Sequence, residues 1–127
     1  MSNIKENLMF TKTHEWIKNN NDNSSYTLGI TDYAQDSLGD IVFVELPSVG
    51  DSFSKEDEMC VVESVKAASS IYAPFDLEII AVNKVLVDEP DIINSSCYDD
   101  GWLIKFKTNT NLDGLLNDKT YKEILDS

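Results

Sequence analysis

The chain has no arginine, and charge of one sign dominates it. All ten basic residues are lysines, they stand against 23 acidic residues, and the formal net charge is −13. A phosphate backbone needs a positive surface and is best read by arginine, so this balance argues against nucleic-acid binding. An anionic membrane surface would repel the chain for the same reason. Charged partners should therefore present basic patches.

Cysteine and long apolar stretches are also scarce. Cys60 and Cys97 in 127 residues do not suggest a disulfide scaffold, and a reducing compartment is the simplest interpretation. No stretch approaches the roughly 20 apolar residues of a membrane span. Residues 1–10 carry Lys5 and Glu6 without a continuous apolar segment, which argues against a secretory signal. We expect a cytoplasmic protein, or a mitochondrial-matrix protein if a leader was removed.

The chain does contain many short apolar runs typical of β-strands. They are rich in β-branched and aromatic residues and are separated by turn residues. The runs lie at residues 14–17, 26–30, 41–46, 59–62, 71–73, 77–82 and 102–107. The first two can pair across a polar turn, and in the last run Trp102, Ile104 and Phe106 should share one face. Many short strands favour a sandwich or a barrel.

Helical signals are short and peripheral. Asp32, with Gln35 three residues later, has the pattern of a helix N-terminus, and Gly39 marks the end of that helix. One helical turn is expected within residues 88–94.

The C-terminal region should be helical. A capping box at Thr120 and Glu123 predicts a helical tail over residues 112–126, outside a core at about residues 9–107. The length fits one domain over residues 1–127.

Lys66 is the candidate for chemistry because it lies among small residues between two strand-like runs. If the runs at 59–62 and 71–73 pair as a hairpin, Lys66 lies at or beside the bend. Its amine would project from the body, and an enzyme could acylate it, which neutralises the charge and adds a flexible arm. From spacing alone, an ordinary solvated lysine remains the alternative.

The sequence around Lys66, Glu-Ser-Val-Lys-Ala at residues 63–67, resembles the lipoylation segment of the glycine cleavage system H protein family. The resemblance continues in family order over nearly the whole chain. The matching blocks lie at residues 14–16, 29–35, 38–47, 50–51, 81–83, 94–96, 101–105 and 115–116. Several ordered blocks of this kind make chance agreement an unlikely explanation.

This resemblance implies a mostly β barrel-sandwich hybrid. It has two small antiparallel sheets, the modified lysine on an exposed hairpin, short peripheral helices and a C-terminal helix. It further implies a monomeric, non-catalytic carrier with lipoate attached covalently to Lys66. The residues expected to be recognised by the lipoate ligase or octanoyltransferase are Glu63, Ser64, Val65 and Ala67.

The resemblance also implies three enzymes as partners. Glycine decarboxylase (the P protein) loads an aminomethyl group onto the lipoyl arm. Aminomethyltransferase (the T protein) passes the one-carbon unit to tetrahydrofolate, and dihydrolipoamide dehydrogenase (the L protein) reoxidises the dithiol. A carrier of a cationic, hydrolysis-prone group should offer it an acceptor-lined cleft that excludes water.

The family places that cleft near residues 14–16, and the resemblance assigns Thr13 and Glu15 to it. A hydroxyl can accept a hydrogen bond and a carboxylate can pair with an ammonium group. Ser70 stands where the family often has an acid. We therefore expect the cleft to lack its second carboxylate and to hold the arm more weakly.

Other functions remain as alternatives. A relay that donates lipoate to 2-oxo-acid dehydrogenase acyltransferase domains would use the same lysine. A biotin carrier is disfavoured because its lysine is flanked by methionines, whereas Val65 and Ala67 flank Lys66 here. The sequence contains neither a phosphate-binding loop nor a catalytic triad pattern, so we do not expect an enzyme.

A metal site is not expected either. His14, Cys60 and Cys97 would make an incomplete set of zinc ligands. A structural histidine beside Trp16 and a Cys60 buried in the core are simpler interpretations.

Overall fold

The computed structural model describes residues 8–20, 25–109 and 114–126. Strands and helices alternate irregularly along the chain. In order they are β1 (Met9–Phe10), β2 (Glu15–Asn19), β3 (Ser25–Ile30), α1 (Asp32–Leu38), β4 (Ile41–Glu45), β5 (Ser52–Phe53), β6 (Glu58–Ser64), β7 (Ala68–Tyr72), β8 (Leu77–Val82), α2 (Val85–Asp88), α3 (Ile92–Ser95), β9 (Ile104–Lys107) and α4 (Asp118–Asp126).

The strands form two antiparallel sheets. The larger has the order β1-β2-β3-β9-β8-β5 and the smaller the order β4-β6-β7. Buried side chains of both sheets meet in one apolar core, to which Leu28 and Ile79 contribute from the larger sheet and Val44 and Val62 from the smaller. Removing these apolar faces from water drives the two sheets together. The predicted mostly β fold with two antiparallel sheets is confirmed.

A second, smaller core joins the two ends of the described chain. It consists of Phe10, Trp16 and Tyr121, and the Phe10 and Tyr121 rings stack at 4.6 Å. The Trp16 indole N–H donates to the Cys97 carbonyl at 2.9 Å. Gly29 is required beneath this indole, because a Cβ on Gly29 would lie 2.6 Å from the ring.

The predicted strands are largely confirmed, with shifted ends. β2 pairs with β3 as expected, with Trp16 opposite Gly29. β7 begins at Ala68 rather than at residue 71, because Ser69 and Ser70 pair with residues of β6. Small polar residues thus form part of a strand that an apolar pattern alone does not show.

The prediction for the last strand is correct for two side chains and wrong for the third. Ile104 and Phe106 are both buried in the main core. Trp102 precedes β9 and packs instead at the second core, with the Lys105 ammonium 5.1 Å from its ring. The alternation therefore starts at Ile104 and cannot be extended to Trp102.

The first helix ends as predicted but begins one residue earlier than expected. The N-cap is Thr31, whose hydroxyl accepts from the Ala34 amide at 3.3 Å, while the Asp32 carboxylate accepts from the Gln35 side chain at 2.9 Å. Gly39 ends the helix at φ 82°, a left-handed conformation that favours glycine. Around Pro90 the predicted single turn is instead the two short helices α2 and α3.

The helical tail is shorter than predicted. It begins at Asp118 rather than at residue 112 or at the Thr120 capping box, and the Asn117 side chain caps it by accepting from the Thr120 amide at 2.8 Å. Leu116 instead pairs as a β-bridge with Phe10. Residues 112 and 113 of the predicted tail lie outside the described residues.

Both cysteines are free thiols and buried, with Cys60 in the main core as expected. Burial raises the pKa of each thiol to about 12. Within the described part of the chain, the helices are too short or too polar to cross a bilayer.

Candidate functional site

Lys66 lies in the turn that joins β6 to β7, which confirms its expected position at a bend. The Ser64 amide donates to the Ala67 carbonyl at 2.7 Å and closes the turn. The Ser64 hydroxyl oxygen accepts from the amides of Lys66 at 3.2 Å and Ala67 at 3.1 Å, and the hydroxyl donates to the Ala67 carbonyl at 3.1 Å. Ser64 therefore stabilises the two-residue bend through hydrogen bonds within the turn.

The loop between α1 and β4 also stabilises the turn. The Val65 amide donates to the Asp40 carbonyl at 3.0 Å, which ties the bend to the segment between α1 and β4. The aliphatic stem of Lys66 passes Gly39, since a Cβ on Gly39 would lie 4.0 Å from Lys66 Cε. The Lys66 side chain is exposed, so its amine is open to an acylating enzyme.

The residues predicted to be recognised during modification cluster around Lys66. Glu63 and Ala67 are exposed, and Val65 is 68% exposed beside the lysine. Ser64 is half-buried because its hydroxyl is used within the turn. The structure thus brings all four residues together on one projecting hairpin.

A cavity of about 520 Å³ opens at the other end of β7, and Thr13 and Glu15 both line it. Its wall is built from distant parts of the chain. The lining residues are Thr11, Lys12, Thr13, Glu15, Lys55, Glu56, Tyr72, Ala73, Pro74, Phe75, Gly114 and Leu115. Tyr72 lies six residues beyond Lys66, about 20 Å along a strand at 3.3 Å per residue.

Glu15 is the buried acid of this cavity, with 4% of its surface exposed. Its carboxylate accepts from the Thr13 hydroxyl at 2.6 Å and from the Thr11 hydroxyl at 2.8 Å. Burial raises the pKa of Glu15 to about 6, although these two hydrogen bonds act in the opposite direction. A cation entering the cavity would favour the ionised carboxylate.

Ser70 is not among the residues lining the cavity, but it orients an acid. Its hydroxyl donates a short hydrogen bond to the Glu58 carboxylate on the neighbouring strand β6. Glu58 pairs with Tyr72, which does line the cavity. Position 70 itself therefore carries no carboxylate, and the carboxylate that Ser70 contacts belongs to Glu58 on β6.

Thr11 and Glu58 were missed from sequence. Thr11 reaches Glu15 because residues 11–14 form a turn, with His14 at φ 71° and its amide donating to the Thr11 carbonyl at 3.2 Å. Glu58 reaches Ser70 because a bulge near the start of β6 shifts the strand register between Glu58 and Cys60. Neither feature has a signature in local apolar periodicity.

His14 has a structural setting, with ring contacts to Tyr121 and Tyr33. Its Nδ1 lies 2.8 Å from the Tyr121 hydroxyl, and its ring centroid lies 4.5 Å from that of Tyr33. Burial lowers the pKa of His14, which favours the neutral ring. Across residues 8–20, 25–109 and 114–126, no three metal-ligating side chains come together.

An exposed lysine at the tip of a hairpin in the smaller of two antiparallel sheets, with an acid-bearing cavity at the hairpin's other end, is an arrangement that fits the class of swinging-arm carrier domains. The model of the family described as "Glycine cleavage H-protein" matches residues 8–127. The chain belongs to this family, the non-catalytic lipoyl carriers of the glycine cleavage system.

Individual relatives agree over their full lengths. The chain is 60% identical over 126 residues to the glycine cleavage system H protein of Ruthia magnifica subsp. Calyptogena magnifica, covering 99% of this chain and 100% of the relative. It is 48% identical to that of Listeria monocytogenes serotype 4a, covering 97% and 98%. The crystal structure of an H protein from Mycobacterium marinum superposes with a TM-score of 0.89 at 33% identity, covering 98% of this chain and all of the other.

Proposed function

We propose that Lys66 is the lipoyl attachment site and that the whole chain acts as one monomeric carrier domain of the cytoplasm. The observation that carries this proposal is the exposed Lys66 side chain on a hydrogen-bonded two-residue bend. A lysine so placed lets an enzyme approach its amine without opening the core. Glu63, Ser64, Val65 and Ala67 are the residues that a lipoate ligase or octanoyltransferase would read around it.

The partners that this role requires are the P, T and L proteins of glycine cleavage. When bound, lipoate supplies a dithiolane that accepts the aminomethyl group, while the chain supplies placement and protection. Tethering to Lys66 keeps that chemistry at a high local concentration near each partner's active site. The 13 excess negative charges favour partners whose docking surfaces are basic.

The cavity beyond β7 is proposed to hold the cationic cargo between partners. Thr13 and Glu15 provide acceptor oxygens, and the Glu15 carboxylate pairs with the ammonium group as it ionises. Glu58 accepts from Ser70 and pairs with the cavity-lining Tyr72, so it would add a second negative charge beside the cavity. Partial burial in this cavity shields the cargo from hydrolysis.

The attachment site is tested with Lys66→Arg. Arginine keeps the charge and, at an exposed turn, the fold, but it is not a substrate for amide formation. After incubation with a lipoate ligase, lipoate and ATP, intact-mass analysis should show one lipoyl group on the wild type and none on the variant. Lys84→Arg, at another exposed lysine, is the control and should be modified normally. A lipoylated Lys66→Arg chain would place the attachment site elsewhere.

The cavity is tested with the lipoylated, aminomethyl-loaded protein. Glu15→Gln and Glu58→Gln should each speed hydrolysis of the aminomethyl group, by about 10-fold, since a charged hydrogen-bonded pair contributes about 1.5 kcal/mol or more. Glu89→Gln changes an exposed acid at the end of α2 and should leave the rate unchanged. An unaltered rate in Glu58→Gln would remove that residue from the cavity's function.

A further inference from the structure

Two consecutive apolar side chains point to solvent on the edge strand β4. Val42 is 53% exposed and Phe43 is 48% exposed. Alternation along a regular strand would bury one of two neighbours. Here the register shifts between Ile41 and Phe43, so Val42 is an extra residue in a bulge and both side chains face outward.

These side chains lie beside the Lys66 turn. Ile41 pairs with Ser64 and Phe43 pairs with Glu63, so the bulge sits at the end of the sheet that carries Lys66. The exposed Val65, held by the Asp40 carbonyl, completes the group. We name Val42, Phe43 and Val65 the hairpin patch; its members lie within about two residue steps, or 7 Å, along the paired strands.

An exposed apolar edge strand is a liability for a soluble protein, because it can template association with other chains. Leaving a phenylalanine half in water also forgoes part of the roughly 1.5–3 kcal/mol that burying its side chain would contribute. Nothing in the core requires this arrangement, since Ile41 and Val44 supply the buried face of β4. A partner that covers the hairpin patch would explain its retention.

The position of the hairpin patch beside Lys66 indicates which partner would contact it. An enzyme that uses the loaded arm can stand away from the protein body by the length of the arm. An enzyme that attaches the arm must bring its active site to the Lys66 amine itself, and so must cover the residues around the turn. The hairpin patch therefore lies where the attaching enzyme has to make contact.

We propose that the hairpin patch is the docking surface for the enzyme that acylates Lys66, and that this enzyme presents an apolar groove with a basic rim. The basic rim follows from the exposed acids beside the patch, Asp40, Glu45 and Glu63. The inference rests on the proposed attachment at Lys66. In the reaction it serves, the Lys66 nitrogen forms an amide bond with the lipoyl carbonyl, AMP leaves the activated acyl-adenylate, and the amine releases a proton.

The test uses the full chain carrying Val42→Thr and Phe43→Thr together. Threonine removes most of the apolar contact but remains β-branched and suited to a strand. With lipoate ligase, lipoate and ATP, kcat/KM for the variant should fall at least about 10-fold, mainly through a higher KM. Val49→Thr is the control, because Val49 is also an exposed apolar residue, at 60%, but lies past the opposite end of β4.

A second measurement separates attachment from use of the arm. Variant protein driven to full lipoylation by prolonged incubation, and verified by mass, should be loaded by glycine decarboxylase within about twofold of the wild-type rate. Equal attachment kinetics for variant and wild type would overturn the proposal. So would a loss confined to loading, which would assign the patch to a partner that uses the arm, or a concentration-dependent dimer lost in the variant, which would assign it to a second copy.

The experiments distinguish failure of the proposed attachment site from failure of the proposed docking surface. Failure of the attachment site appears as lipoyl mass on Lys66→Arg. Failure of the docking surface appears as normal kinetics for the Val42→Thr/Phe43→Thr chain on a wild-type background that is modified at Lys66.

Discussion

At the residue scale, the protonation of Glu15 makes the stability of the folded chain depend on pH. Its pKa of about 6 in the folded chain exceeds the ordinary value of 4.5, so the native state binds more protons than the unfolded state between these values. The contribution of Glu15 to the free energy of unfolding must therefore fall as the pH rises from 4.5 to about 6. Occupation of the cavity by a cation opposes this loss, since it favours the ionised carboxylate.

Glu15→Gln should remove this dependence. Relative to the wild type, the free energy of unfolding of the variant should increase by about 1.5 kcal/mol between about pH 4.5 and pH 7. Urea denaturation at several pH values measures the difference. A difference between Glu15→Gln and the wild type that stays constant across this pH range would contradict the buried setting of this carboxyl.

At the element scale, one hydroxyl of α4 links this helix to two other parts of the chain. The Tyr121 hydroxyl lies 2.8 Å from His14 Nδ1 and 2.7 Å from the Thr31 hydroxyl oxygen, so it connects α4 to the turn before β2 and to the cap of α1. Burial raises the pKa of Tyr121 to about 12, so the phenol stays protonated. The ring itself stacks on Phe10.

Tyr121→Phe should keep the ring packing and break this junction. The buried Thr31 hydroxyl and the partly buried His14 ring would each lose a hydrogen-bond partner, and the free energy of unfolding should fall by about 1–3 kcal/mol. Equilibrium denaturation measures this change. Tyr72→Phe removes an exposed hydroxyl and should stay within about 0.5 kcal/mol of the wild type; equal effects of the two substitutions would show that the junction contributes nothing.

Elements with clear periodicity could be predicted, whereas local irregularities could not. The run at 77–82 became β8 with the same bounds, because alternating burial leaves a visible pattern. The bulge at Val42 leaves none, because one inserted residue does not change the composition of an apolar run. The α1 cap was assigned to Asp32 rather than Thr31 because both residue types cap helices well.

The candidate site divides in the same way. Lys66 could be placed at a bend because its neighbours are strand-forming, and Thr13 and Glu15 came from family resemblance. Glu58 could not be placed, because its contact with Ser70 depends on a register shift between two strands. The start of α4 was misplaced because Leu116 is committed to pairing with Phe10, more than a hundred residues away.

At the scale of the whole molecule, the working parts occupy opposite ends of the small sheet. The Lys66 bend closes one end of the β6–β7 hairpin, and Tyr72 at the other end faces the cavity. The 13 excess negative charges on the chain can attract basic partners from a distance. Apolar contacts near Lys66 would then distinguish one basic partner from another. A single hairpin would therefore carry the proposed attachment site at one end and border the proposed cargo cavity at the other.

The cavity wall combines segments far apart in sequence, because Thr11, Thr13 and Glu15 line it together with Gly114 and Leu115. Contacts this distant in sequence cannot form on a ribosome until residues 114 and 115 have been synthesised. The Lys66 hairpin, by contrast, is local in sequence and ends at Tyr72, well before Gly114. We expect a nascent chain to complete the proposed attachment site before it completes the cavity proposed to hold the cargo.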